Sequence, residues 1–132
     1  MKVKIVKIEP GAEFDGMVWD YWVDAVLPNK SIVKLFDSHA FILISFVGVL
    51  IDLSVKALFI EKNENHDLIR VAGKIIKNED GYFLIDELGT CIEVKFEDIQ
   101  TNSISINQDS IFFLGRLDIK NVKEPDTEGL QS

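Results

Sequence analysis

The 132-residue sequence predicts an all-β fold, built as a small antiparallel β-barrel. Three observations carry that expectation. Apolar and polar residues alternate with period two over most of the chain. Clusters of turn-forming residues separate the alternating runs. No window carries the i, i+3, i+4, i+7 apolar stripe of an amphipathic helix.

The basic and apolar start, residues 1–8, reads as a first strand. Lys4 and Lys7 interrupt the run that a signal peptide would need, and Glu9-Pro10-Gly11 ends it. In residues 19–27, Trp19, Tyr21, Val23, Ala25 and Leu27 share one apolar face, so Trp19 and Tyr21 are expected in the core. Trp22 faces the other way, between Asp20 and Asp24. Pro28-Asn29-Lys30 turns the chain into a return strand over 31–36. The longest apolar run, 40–51, is too short to span a membrane and is expected as buried core; Asp37-Ser38 could cap a short helix over 40–47, but Ile42, Ile44, Phe46 and Val47 favour strand. Residues 49–61 alternate as one long strand, with Phe59 on its apolar face.

A strand over 68–77 follows the polar loop 61–67, with Gly73 in its interior marking a bend. Asn78-Glu79-Asp80-Gly81 is a hairpin turn. Strands are expected at 82–86 and 90–96, the second with Ile92, Val94 and Phe96 facing in, then a single helical turn near 97–100. The last strand, 111–120, places Ile111, Phe113, Gly115, Leu117 and Ile119 on one face. Residues 121–132 read as a disordered polar tail.

Residues 71–76 (VAGKII), 80–86 (DGYFLID), 89–94 (GTCIEV) and 109–117 (DSIFFLGRL) resemble the OB-fold of single-strand-binding and anticodon-binding domains. The resemblance covers about 68–119. It implies a bent first strand, a hairpin and a later strand of a small barrel, OB-like in the second half, with a β-rich first half packed against it. Lys34-Leu35-Phe36-Asp37 echoes Phe83-Leu84-Ile85-Asp86, and residues 48–53 echo the strand of Ile111. The chain thus reads as one continuous all-β unit over 1–120. Two OB-like halves, 1–62 and 66–120, are the alternative.

Charge qualifies the functional side of that resemblance. The chain carries 14 Lys and Arg against 22 Asp and Glu, a net −8. Most of it lies in the OB-like half: residues 66–132 hold 7 cations and 13 acids. Such a surface repels phosphate, whereas single-strand binders combine a basic groove with stacking aromatics. A non-catalytic interaction module that binds another protein is therefore the first reading, its partner basic or a second copy of the chain. Trp22, Asp20, Asp24, Glu13 and Asp15 are the candidate partner-binding residues, an aromatic anchor within an acidic run that contains no Lys or Arg. The alternative is a single-stranded nucleic-acid-binding domain with a local basic-aromatic face of Arg70, Lys74, Lys77, Tyr82 and Arg116.

No catalytic motif is present. His39 and His66 are the only histidines, and nothing around the single Cys91 marks it as an activated nucleophile. No enzyme activity, cofactor, metal or membrane span is expected. A cytoplasmic protein with a reduced Cys91 is the expectation.

Overall fold

The computed structural model describes residues 1–28, 30–42, 44–87 and 89–123. Its strands are β1 (Lys2–Pro10), β2 (Glu13–Phe14), β3 (Met17–Val18), β4 (Tyr21–Val26), β5 (Ile32–Asp37), β6 (Leu50–Ala57), β7 (Ile60–Glu61), β8 (Ile69–Asn78), β9 (Gly81–Asp86), β10 (Cys91–Val94), β11 (Ser110–Leu114) and β12 (Leu117–Lys123). A 3-10 turn (Ile44–Phe46) precedes β6, and one short helix, α1 (Phe96–Thr101), follows β10. The protein is all-β, with a closed five-stranded barrel and additional strands.

The chain divides into two compact units. One holds Lys2–Leu53 and Ile119–Lys123; the other holds Ser54–Asp118. In the first, β1 pairs antiparallel with β4, and β4 with β5. The order continues β5-β12-β6, and β6 closes the ring by pairing antiparallel with β1. Alternation works as elementary packing requires. Val3, Ile5, Val23, Ala25, Leu35 and Leu53 point inward and are buried, while Lys2, Lys4 and Lys34 between them are exposed.

In the Ser54–Asp118 unit, β8, β9 and β10 pair antiparallel in sequence order, and β11 pairs antiparallel with β8. The end of β6 lies parallel to β10. β7 pairs with β11, so this sheet starts and ends on the same stretch of chain, with only Leu58 and Phe59 between β6 and β7. Gly73 sits where β8 runs tight against β9. A Cβ at that position would collide with the Ile85 carbonyl oxygen, so only glycine permits the bend.

Several expectations about single residues are corrected. The strand expected over 49–61 breaks at Leu58-Phe59, and that over 111–120 breaks at Gly115-Arg116. The two breaks bond to each other: the Leu58 N–H donates to the Arg116 carbonyl (2.8 Å) and the Gly115 N–H to that of Phe59 (3.0 Å). Phe59 and Ile111, expected inward, are exposed while Ile60 and Phe112 are buried; Phe113, Leu117 and Ile119 are buried as expected. Trp19, expected in the core, is 60% exposed, because β4 begins only at Tyr21. Phe96 is exposed too, since the chain turns into α1 there. The apolar run 40–51 is not a buried core segment. Ile42 and Ile51 are buried, but Ile44, Val47 and Leu50 face solvent. Of the tail expected over 121–132, residues 121–123 belong to β12 instead, and 124–132 lie outside the described residues.

Candidate functional site

The Lys2–Leu53 unit carries a hairpin in the connection between its first two barrel strands, β1 and β4. Phe14 pairs with Met17 across a two-residue turn whose central residues, Asp15 and Gly16, both have positive φ (53° and 76°). That is the geometry of a type I′ turn, for which Asp-Gly is a preferred dipeptide. The stem is fastened by three bonds. Gly11 N–H donates to the Asp20 carbonyl (2.9 Å), Trp19 N–H to that of Ala12 (2.8 Å), and Ala12 N–H to the Asp20 carboxylate (2.6 Å). The hairpin exposes Phe14 (68%), Met17 (64%) and Trp19 (60%), three large apolar side chains within six residues.

Beside the stem, a groove of about 350 Å³ is lined by Ile8, Pro10, Tyr21, Ala40, Ile42 and Ile44. Pro10 and Tyr21 form the last rung of the β1–β4 pair, the point where the hairpin leaves the barrel. The opposite wall is held by Asp37. Its carboxylate is fully buried and accepts the backbone N–H groups of His39 (3.2 Å), Phe41 (3.0 Å) and Ile42 (2.8 Å). This anchors a loop in which Ala40 adopts a positive φ of 53°.

The sequence-predicted acidic residues do not act as one group. Asp20 holds the hairpin stem, and Asp24 is paired with Lys34 (3.6 Å). The absence of Lys and Arg from that stretch of sequence is thus not an absence in space. Lys7 also sits against Glu9 (2.6 Å), and this contact raises the Lys7 pKa and lowers that of Glu9. Glu13 and Asp15 remain exposed on the hairpin itself. Trp22 is half-buried and packs against Phe36, ring centroids 5.0 Å apart. Of the five predicted residues, Glu13, Asp15 and Asp20 belong to the hairpin, whereas Trp22 and Asp24 lie on the β4 strand. Sequence reasoning missed Phe14, Met17 and Trp19 as a set; the Asp15-Gly16 dipeptide between alternating apolar residues is the signal that marks them.

The basic-aromatic set is brought together only in part. Lys77 lies over the Tyr82 ring (5.7 Å), and Tyr82 stacks with Phe96 (5.3 Å, 21°). Arg70 and Lys74 are exposed on β8, but alternation sends them to the face opposite Lys77. Arg116 is engaged by Asp118 through two hydrogen bonds (2.6 and 3.0 Å).

Groups with chemical potential are placed as follows. Ser38 Oγ and His39 Nδ1 are 2.8 Å apart on an exposed loop, while the neighbouring Asp37 carboxylate is directed to backbone N–H groups rather than to the ring. His66 is exposed near Glu64. Burial pushes the Cys91 thiol above its ordinary range; the N-terminal ammonium opposes this and Glu93 adds to it. Among the described residues, no three His, Cys, Asp or Glu side chains form a group that could hold a metal ion. Among the described residues, no helix is long and apolar enough to cross a membrane.

These features define the class, an all-β barrel protein with an exposed apolar hairpin. No protein family, curated protein or solved structure matches the chain.

Proposed function

We propose that the protein is a non-catalytic interaction module that docks another protein through the β2–β3 hairpin. The observation that carries this reading is the exposure of Phe14, Met17 and Trp19 on one short, well-fastened hairpin. Large side chains held in water by a rigid turn gain free energy when a partner covers them, and aromatic residues dominate such contacts. The site lies near Trp22 but is centred on Trp19. Glu13 and Asp15 flank the apolar side chains and favour a basic partner.

An OB-like reading of the units supports the location. In the first unit a last strand inserts between the third and fourth strands of the ring, and the hairpin occupies the connection between strands one and two. OB-folds use that connection to bind oligonucleotides and oligosaccharides, which marks it as a ligand-facing loop of the plan. The nucleic-acid alternative rests on Lys77, Tyr82 and Phe96 and lacks a continuous basic track.

The test is capture from native lysate on the immobilised chain and on a Phe14→Ser, Trp19→Ser variant of unchanged circular dichroism. A band held by the parent chain and lost by the variant supports the reading. Capture indifferent to the hairpin, or an oligonucleotide that binds at low salt while no protein does, overturns it.

A further inference from the structure

We infer that the groove beside the hairpin stem receives one large apolar side chain from a basic peptide segment of the partner. This deepens the reading above and rests on it. The groove offers about 350 Å³, lined by five apolar residues and the ring of Tyr21, room for one large side chain. Ile44, at its rim, is 78% exposed, so the groove opens to solvent.

Both walls are set before a ligand arrives. One is a barrel rung, Pro10 opposite Tyr21. The other is the loop that Asp37 holds through three backbone N–H groups. A preformed pocket loses little entropy on binding, which favours a single inserted anchor over a broad adaptive surface.

Charge selects the occupant. Residues 8–28 contain Glu9, Glu13, Asp15, Asp20 and Asp24 and no Lys or Arg. Lys7 and Lys34 offset Glu9 and Asp24, which leaves the hairpin end negative through Glu13 and Asp15. A peptide whose anchor enters at Tyr21 and Ile44 and whose chain runs along the hairpin meets those two carboxylates. Lys or Arg beside the anchor fits them. A second copy of this chain, at net −8, brings the wrong sign.

The experiment selects a random dodecapeptide phage library on the full chain. Enriched peptides are then synthesised and titrated into isotope-labelled protein. The expected peptides carry one Leu, Ile, Phe or Trp within a few residues of Lys or Arg, and they shift the amide signals of Ile8, Tyr21, Ile42 and Ile44. Ile44→Lys, at an exposed position, should weaken them about tenfold or more, and Ile44→Glu less. Peptides that shift only Phe14, Met17 and Trp19 overturn the groove and leave the hairpin reading standing. Enriched peptides without cations overturn the charge selection. No enrichment overturns the groove, while the lysate test judges the hairpin separately.

Discussion

The Asp37 carboxylate accepts the backbone N–H of Ile42 at 2.8 Å from a fully buried position at the end of β5. The same side chain serves His39 and Phe41, so one residue closes a strand and shapes a loop. Asp86 ends β9 in a related way, accepting the Thr90 N–H at 2.8 Å. The echo between residues 34–37 and 83–86 therefore has a physical content, a strand that ends in a capping aspartate. It does not align the two units strand for strand: Asp37 ends the third main strand of its unit and Asp86 the second.

Asp37→Ala should lower stability by about 2–3 kcal/mol, because three N–H groups lose a charged acceptor. Asp37→Asn keeps one carbonyl oxygen and should lose less. Urea midpoints for the three proteins check this; equal midpoints for Ala and wild type would contradict it. The Ala variant should also lose peptide binding in the groove, since Ile42 is on its wall.

The two tryptophans should separate cleanly. Trp22 is packed on Phe36, so Trp22→Ala should cost about 2 kcal/mol, less than a fully buried residue of that size. Trp19→Ala should change stability by no more than ~0.5 kcal/mol. In single-tryptophan proteins made with Trp→Phe changes, acrylamide should quench Trp19 more strongly than Trp22. The reverse order would place the hairpin wrongly.

This pair also shows how far the sequence reaches. Period-two alternation over β4 and β6 is local, and it marks Val23, Ala25 and Leu53 as buried from the residues alone. Alternation cannot say where a strand starts. Trp19 shares parity with Val23 yet lies before Tyr21, on a hairpin defined by bonds from Gly11 and Ala12 to Asp20. Phe59 has the same origin, since the break at Leu58-Phe59 follows from its bonds to Gly115 and Arg116, distant in sequence. The groove was illegible for that reason too: its walls come from residues 8–10, 21 and 40–44.

Glycine substitutions separate close approach from turn geometry. Gly73→Ala drives a methyl group into the backbone of Ile85 and should cost about 2–3 kcal/mol. Gly16→Ala meets no neighbouring atom and carries only the cost of a positive φ, about 1 kcal/mol. Thermal melts of both variants check the order. Equal effects would mean that β8 does not bend against β9.

Cys91 should act as a suppressed thiol. Burial raises its pKa above the ordinary 9.0, so the folded state favours the protonated form. The sign follows from linkage: stability from this group is intact below 9.0 and is lost as pH rises through the higher folded value. Iodoacetamide should therefore alkylate the folded protein more slowly than the urea-unfolded chain at the same pH. Cys91→Ser should remove the difference in alkaline stability that belongs to the thiol. Faster alkylation in the folded state would reveal an activated cysteine instead.

Ile119 tests whether the chain after Asp118 completes the first unit. Ile119 is 3% exposed on β12, and β12 lies between β5 and β6 in the closed ring. A carboxylate there would be buried without a partner, so Ile119→Asp should destabilise the protein by about 3–5 kcal/mol. Asn121→Asp, exposed on the same strand, should change stability by no more than ~0.5 kcal/mol. Amide exchange locates the damage. Loss of protection at Val33 and Leu35 of β5 in the Ile119 variant is the expected result. Unchanged protection there, with a normal melting curve, would show that β12 is not a strand of the barrel.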